Sequence, residues 1–346
     1  MAVPADRFQM DPRTGAGRVW ESVLSQLRRR TRLRPVAPAA RGWSWLPRRR
    51  PDVWLAPGHE GPIWRDEPVV AVVHGSAWML DPASLDLVPS EFAEAMVEST
   101  EATLRSASFV IVPSEYTRRG LTEGHGIPEE RVFVVPHGVD AEVFKPTRKG
   151  GRAQVAAKLG QKRPYVLFAS IPSIPQKNLP ALKQAVVRLA ERGLPHALAI
   201  AGGTAGGESQ ALLDEIAAEL PGFPGRVAWL GHVGDRELAG LMAEADAFCL
   251  PSLFESFGLT ALEAMACGAP VVASNRGALP EVVGNAAILS DPEPEALEAA
   301  LWRVLTDPAL AGGLREAGRA RAEGMTWERT AAGWLTALRR ACLDSG

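Results

Sequence analysis

The stretch that decides the fold is "PSLFESFGLTALEAMACGAPVVAS", residues 251–274. It follows the apolar run "AFCLPS" and ends in a valine-rich run, so it reads as strand, loop, helix, strand. Two glutamates, Glu255 in the loop and Glu263 in the helix, flank Ser256, Phe257, Gly258 and Leu259. The N–H groups of a helix's first turn have no helical partner, and the peptide dipoles add partial positive charge there. A phosphate is therefore expected at this end, and Gly258 removes the side chain that would obstruct its approach. Carboxylates only accept hydrogen bonds, which suits Glu255 to sugar hydroxyls and Glu263 to a second diol such as that of ribose. The pair is thus expected to grip a sugar nucleotide. The competing reading makes Glu255 a helix cap and leaves Glu263 facing solvent.

The same rhythm runs outward in both directions. "RPVAPA", "DVWLAPG", "VVAVVHG", "FVIVPS" and "RVFVVPHG" read as strands in the first half. "YVLFAS", "HALAIAGG", "RVAWLGHV", "AFCLPS", "PVVAS" and "AAILSD" do so in the second. Helical patterns lie between them, at about 19–30, 90–107 and 115–124 in the first half. Strands apolar on both faces and separated by helices imply parallel sheets covered on both sides. Residues 144–164 are polar and rich in Gly and Lys, and read as a linker. The expected class is α/β, with two Rossmann-like parallel-sheet domains facing a cleft. The domains are expected at 1–145 and 146–325, the second carrying Glu255 and Glu263. The final helix, about 326–342, is expected to pack back on the first domain.

Bulk properties narrow the function. The chain has 346 residues, 46% of them hydrophobic, enough for two cores. The net charge of -2 argues against nucleic acid as a partner. Cys249, Cys267 and Cys342 form no spaced pair, which fits a reducing, cytoplasmic setting without disulfides or zinc. Residues 18–50 carry ten Arg and one acidic residue, Glu21, with Trp43 and Trp45 among them. Residues 28–50 would suit peripheral contact with an anionic membrane face, or an anionic acceptor. A solvated loop is the plain alternative.

"FESFGLTALEAMACGAPVVASNRGALPEVVG", residues 254–284, resembles the signature of the retaining glycosyltransferases of family four, which have the GT-B fold. The resemblance runs from about 68 to 335. It implies that Glu255 holds the donor sugar and Glu263 the ribose, while the backbone of Phe257, Gly258 and Leu259 meets the sugar and the pyrophosphate. Lys177, in "ASIPSIPQKNLPALKQAV", matches the family's phosphate-binding lysine, though Gln176, itself expected to meet the donor, and Ile171 stand where an arginine is usual. Its alternative is a solvated lysine. Gly15 and Gly17, in "PRTGAGRVWESVLSQL", resemble the family's glycine turn facing the donor phosphate, with Arg18 close by. His74, closing the strand "VVAVVHG", matches the histidine beside the anomeric carbon, or is simply a satisfied polar group. His137, in "VVPHGVD", stands for the asparagine of an interdomain turn. Val233 marks a strand exit that reads the base through backbone groups. Asp235 there either reads a guanine edge or caps the next helix.

These matches imply transfer of a hexose, first choice mannose from GDP-mannose and next a UDP-hexose, with retained anomeric configuration. The acceptor would be a glycan, lipid-linked saccharide or small molecule. No metal or other cofactor is expected, since no paired-aspartate metal motif is evident. The rivals are a non-catalytic sugar-nucleotide-binding module and a GT-B-fold epimerase or phosphorylase.

Overall fold

A computed structural model describes residues 2–4, 15–32, 34–36, 52–58, 66–74, 90–147, 150–172, 174–203, 211, 214 and 225–344. The chain divides into two compact units. One comprises Met1–Gly138 with Met325–Gly346, and the other Val139–Gly324. Most of the Arg-rich segment, including Trp43 and Trp45, lies outside the described residues.

The first unit holds a parallel sheet in the order β2-β1-β3-β4-β5-β6. Its strands are β1 (Ala2–Pro4), β2 (Arg34–Val36), β3 (Trp54–Pro57), β4 (Val69–Val72), β5 (Phe109–Val112) and β6 (Val132–Val134). β3, β4 and β5 are buried along their whole length, as runs apolar on both faces require. Trp54, Val69, Val110 and Val112 pack with Leu104 and Leu121 from helical segments and Ile127 from the loop before β6. The first helix, Gly15–Arg28, begins earlier than expected. Gly17 therefore sits buried in its first turn rather than in an open glycine loop.

The helix Trp327–Leu343 belongs to this unit. Thr326 caps it by accepting from the Arg329 N–H, and Thr330 Oγ1 donates to the Pro136 carbonyl at 2.8 Å. The fully buried Trp334 meets Trp20 edge to face, with ring centroids 5.1 Å apart. A Cβ on Gly138 would lie 2.3 Å from the Thr326 carbonyl carbon, so the chain crosses there only because that side chain is missing.

The second unit holds the other parallel sheet, ordered β12-β11-β10-β7-β8-β9. The strands are β7 (Tyr165–Ala169), β8 (Ala197–Ala201), β9 (Val227–Gly231), β10 (Ala247–Leu250), β11 (Val271–Ser274) and β12 (Ala287–Ser290). Val166 and Phe168 of β7 join Leu198, Ile200, Cys249 and Val272 beneath Leu182, Val186 and Leu189 of the helix Leu179–Glu191. Leu297, Leu301 and Val304 of the helix Pro294–Thr306 complete that layer. Each fully buried Leu or Val side chain stabilises the unit by about 1.5–3 kcal/mol.

The expected linker at 144–164 is corrected. The boundary falls at Gly138, and a helix, Gly151–Leu159, occupies the segment. Val155 is fully buried, the Arg152 guanidinium bonds to Asp246 Oδ1 at 2.8 Å, and the Arg152 N–H bonds to Glu244. Gly151 lets this helix touch the Gly240 carbonyl, where a Cβ would come within 2.5 Å. A polar, glycine-bounded sequence concealed a helix whose partners lie some 90 residues away.

Candidate functional site

The order of the second sheet locates a site before any side chain is considered. From β7 the chain steps to β8 and β9 on one side, then returns to β10, β11 and β12 on the other. The direction reverses between β7 and β10, and a crevice opens outside the carboxyl ends of strands at such a point. Lys177 follows β7, and Glu255 follows β10. Lys177 Nζ and Glu255 Oε1 are 2.6 Å apart, with side chains 20% and 11% exposed. The two residues that sequence reasoning placed on different ligand groups form one ion pair at the switch point.

Several bonds hold this pair in place. Ser252 Oγ is 2.8 Å from the same oxygen, Glu255 Oε1. Lys177 ends a short turn, Pro175–Lys177, and Asn178 follows in the left-handed region at φ 53°. The Asn178 amide donates to the Pro251 and Pro292 carbonyls at 3.1 and 2.8 Å, tying the exits of β7, β10 and β12 together. The Gln176 amide, expected to meet the donor, instead donates to the Phe254 carbonyl at 2.8 Å. Its own carbonyl accepts from the Leu253 N–H at 2.9 Å. From the far side, the Ala278 N–H donates to the Glu255 carbonyl at 2.8 Å. Gly277, at φ 61°, passes so near that a Cβ would lie 2.3 Å from that carbonyl oxygen. Ser252, Asn178 and Gly277 were not singled out from sequence. The one local signal was an Asn, or a Gly, beside a Pro-containing helix start.

Beyond Glu255 the chain turns into the helix Leu259–Ala266. Gly258, at φ 93°, is its N-cap residue and leaves the first-turn N–H groups without a side-chain cap. Glu255 therefore does not cap this helix. Phe257 is buried at 2% exposure and anchors the turn, while Ser256 is half-buried. Glu263 is also buried, at 3%, which removes the solvent-facing alternative. Burial, with the Glu263 charge added, pushes the Cys267 thiol up to about 12. Val233 follows β9 and is half-buried. The helix Asp235–Glu244 starts on Gly234, whose N–H donates to Glu237, so Asp235 is not the cap residue that sequence suggested. Among the described residues no three His, Cys, Asp or Glu side chains form a group able to hold a metal ion.

In the first unit, His74 follows β4 and lies among aromatic rings. Its ring centroid is 6.0 Å from that of Trp20 and 5.5 Å from that of His137. His137 in turn is 6.2 Å from Trp327. Burial holds the His137 imidazolium well below its usual range, and the neighbouring His74 adds to this. Among the described residues no helix is long and apolar enough to cross a membrane.

Comparison with known proteins agrees with this layout. The family described as "Glycosyl transferases group 1" matches residues 153–321, and "Glycosyltransferase Family 4" matches residues 7–143. The MMP alpha-(1->4)-mannosyltransferase of Mycolicibacterium hassiacum is 32% identical over 71% of this chain, and the chain spans 57% of that relative's length. The GDP-mannose-dependent alpha-(1-6)-phosphatidylinositol dimannoside mannosyltransferase of Mycobacterium tuberculosis is 31% identical over 80% of this chain and 69% of its own length. Anabaena HepE, solved in complex with UDP and glucose, superposes with a TM-score of 0.76 at 19% identity, covering 98% of this chain and 99% of that one. That likeness bears on the fold, which is GT-B. Two family matches that together span most of the sequence place the chain in glycosyltransferase family four, to which it belongs.

Proposed function

We propose that this chain transfers a hexose from a nucleotide diphosphate sugar to an acceptor hydroxyl with retention of anomeric configuration. The observation that carries the reading is the Lys177–Glu255 pair at the β7/β10 switch point, one turn ahead of an uncapped helix start. Both bonds to Glu255 fall on Oε1, so Oε2 is the atom placed to accept from a sugar hydroxyl. The Lys177 ammonium has three protons and can serve a phosphate oxygen while it keeps Glu255. The Gly258 and Leu259 N–H groups would complete the diphosphate cradle. Glu263 would take the ribose, and the backbone at Val233 the base.

The donor proposed first is GDP-mannose, supported by the names of the two mannosyltransferase relatives. A UDP-hexose comes second. The acceptor would be a saccharide, a lipid-linked saccharide or a small molecule. As the bond from the anomeric carbon to the diphosphate breaks, the acceptor oxygen bonds to the same face of that carbon. Its proton passes to the departing phosphate oxygen. The protein's share is positioning and stabilisation of the leaving group's charge, with no metal required. His74 is assigned a role in turnover rather than in donor affinity.

Incubation with a panel of radiolabelled nucleotide sugars, in the presence and absence of EDTA, tests this. Release of nucleoside diphosphate from one donor, insensitive to EDTA and abolished in Glu255→Gln, is the expected result. Binding of nucleoside diphosphates with no turnover of any donor, across a panel of acceptors, would overturn it.

A further inference from the structure

Four adjacent strands of the second sheet end in residues of alternating charge. In sheet order these are Asp291 after β12, Arg276 after β11, Glu255 after β10 and Lys177 after β7. The inner two cannot serve a ligand by charge alone, because Lys177 and Glu255 already neutralise each other at 2.6 Å. A nucleoside diphosphate brings more negative charge than one shared lysine can meet. Arg276 is differently placed. Its contact with Asp291 is an ion pair at 3.8 Å between side chains 51% and 57% exposed. Such pairs are worth little. The Asp291 oxygen involved, Oδ1, already accepts from the Asn275 amide at 2.8 Å.

The backbone that carries Arg276 is nonetheless fixed against the site. Gly277 runs in contact with Glu255, and the Ala278 N–H bonds to the Glu255 carbonyl. A guanidinium on a rigid turn, loosely parked on an exposed carboxylate, can move to a stronger anion at small cost. We infer that Arg276 is a second cation for the diphosphate of the donor, taking the part for which Ile171 and Gln176 offer no charge. This rests on the donor site proposed above. Asp291 then acts as a resting partner that competes with the ligand for Arg276.

Isothermal titration of GDP, UDP, GMP and UMP into wild-type protein, Arg276→Gln, Arg276→Lys and Asp291→Asn tests the inference. Wild type should prefer the diphosphate to the monophosphate. Arg276→Gln should lose about tenfold or more in diphosphate affinity while monophosphate affinity stays nearly unchanged. Arg276→Lys should recover part of the loss, because charge returns without the two-pronged geometry. Asp291→Asn should bind diphosphate more tightly than wild type, an effect that misfolding does not imitate. Equal diphosphate affinity in wild type and Arg276→Gln overturns the inference and leaves the donor site standing. Equal weakening of mono- and diphosphate in that variant also overturns it. If wild type binds no nucleoside diphosphate, the donor-site reading itself fails, and the wild-type titration shows this by itself.

Discussion

Replacement of Gly277 by alanine should disable the site from a position that touches no ligand. The backbone there has φ 61°, a region that costs an L-residue about 1–2 kcal/mol. The new Cβ would also stand 2.3 Å from the Glu255 carbonyl oxygen and 2.8 Å from its nitrogen. Both are backbone atoms, so no side chain can swing away. Relief requires the 275–278 turn to retreat, which lengthens the 2.8 Å bond from the Ala278 N–H to the Glu255 carbonyl. With overpacking at about 1–3 kcal/mol and a lost hydrogen bond at about 1 kcal/mol, the total is about 3–6 kcal/mol. Urea unfolding followed by tryptophan fluorescence reads it, since Trp229 and Trp302 lie in the second unit. The transition of that unit should move to lower urea, and that of the first unit should stay. A shift worth less than about 1 kcal/mol would refute the argument, because the φ term alone exceeds it.

Other outcomes follow from the same geometry. Glu255→Ala should lower turnover at least about a hundredfold through loss of sugar positioning. It should also cost about 1–3 kcal/mol of stability, since Lys177 loses its partner in a half-buried place, and a thermal melt checks this. Burial holds the His137 imidazole neutral in the fold, whereas the unfolded chain protonates it near 6.5. The unfolded state therefore binds the extra proton, and the first unit should be fully stable above pH 6.5 and weaken as the pH falls below it. His137→Asn should flatten that slope in pH-dependent melts. Cys249 and Cys267 are buried and Cys342 is half-buried. Ellman's reagent at pH 8 should find one slowly reacting thiol in the native protein and three in urea. Above pH 9 the raised Cys267 thiol makes the fold lose stability progressively toward pH 12, because the unfolded thiol ionises first.

The strands of the second unit were legible because each is a short, largely apolar run closed by Gly, Pro or Ser, and β7, β8, β10 and β11 are buried along their whole length. The Glu255 loop was legible because a helix start next to a glycine carries its own electrostatic logic, and the Lys177 loop through its match to the family's phosphate-binding lysine. What sequence reading missed is non-local. That Lys177 pairs with Glu255 depends on β7 and β10 being neighbours, which no local pattern encodes. Gln176 looked like a ligand contact because it adjoins Lys177, but its amide serves the Phe254 carbonyl, 78 residues on. The helix at Gly151–Leu159 was hidden for a similar reason. It has only two buried residues, Gly151 and Val155, and draws its support from the turn around Glu244 and Asp246.

The first unit is discontinuous in sequence, and Trp334 closes it against Trp20. On the ribosome this imposes an order of events. Residues 139–324 emerge as an uninterrupted block and can reach their native state while synthesis proceeds. The amino-terminal sheet has to wait for residues 325–344 before Trp20 gains its final cover from Trp334. Until then that nascent portion is the one exposed to chaperones and proteases, so a premature stop near position 325 should release a chain whose downstream block is native and whose upstream block is not.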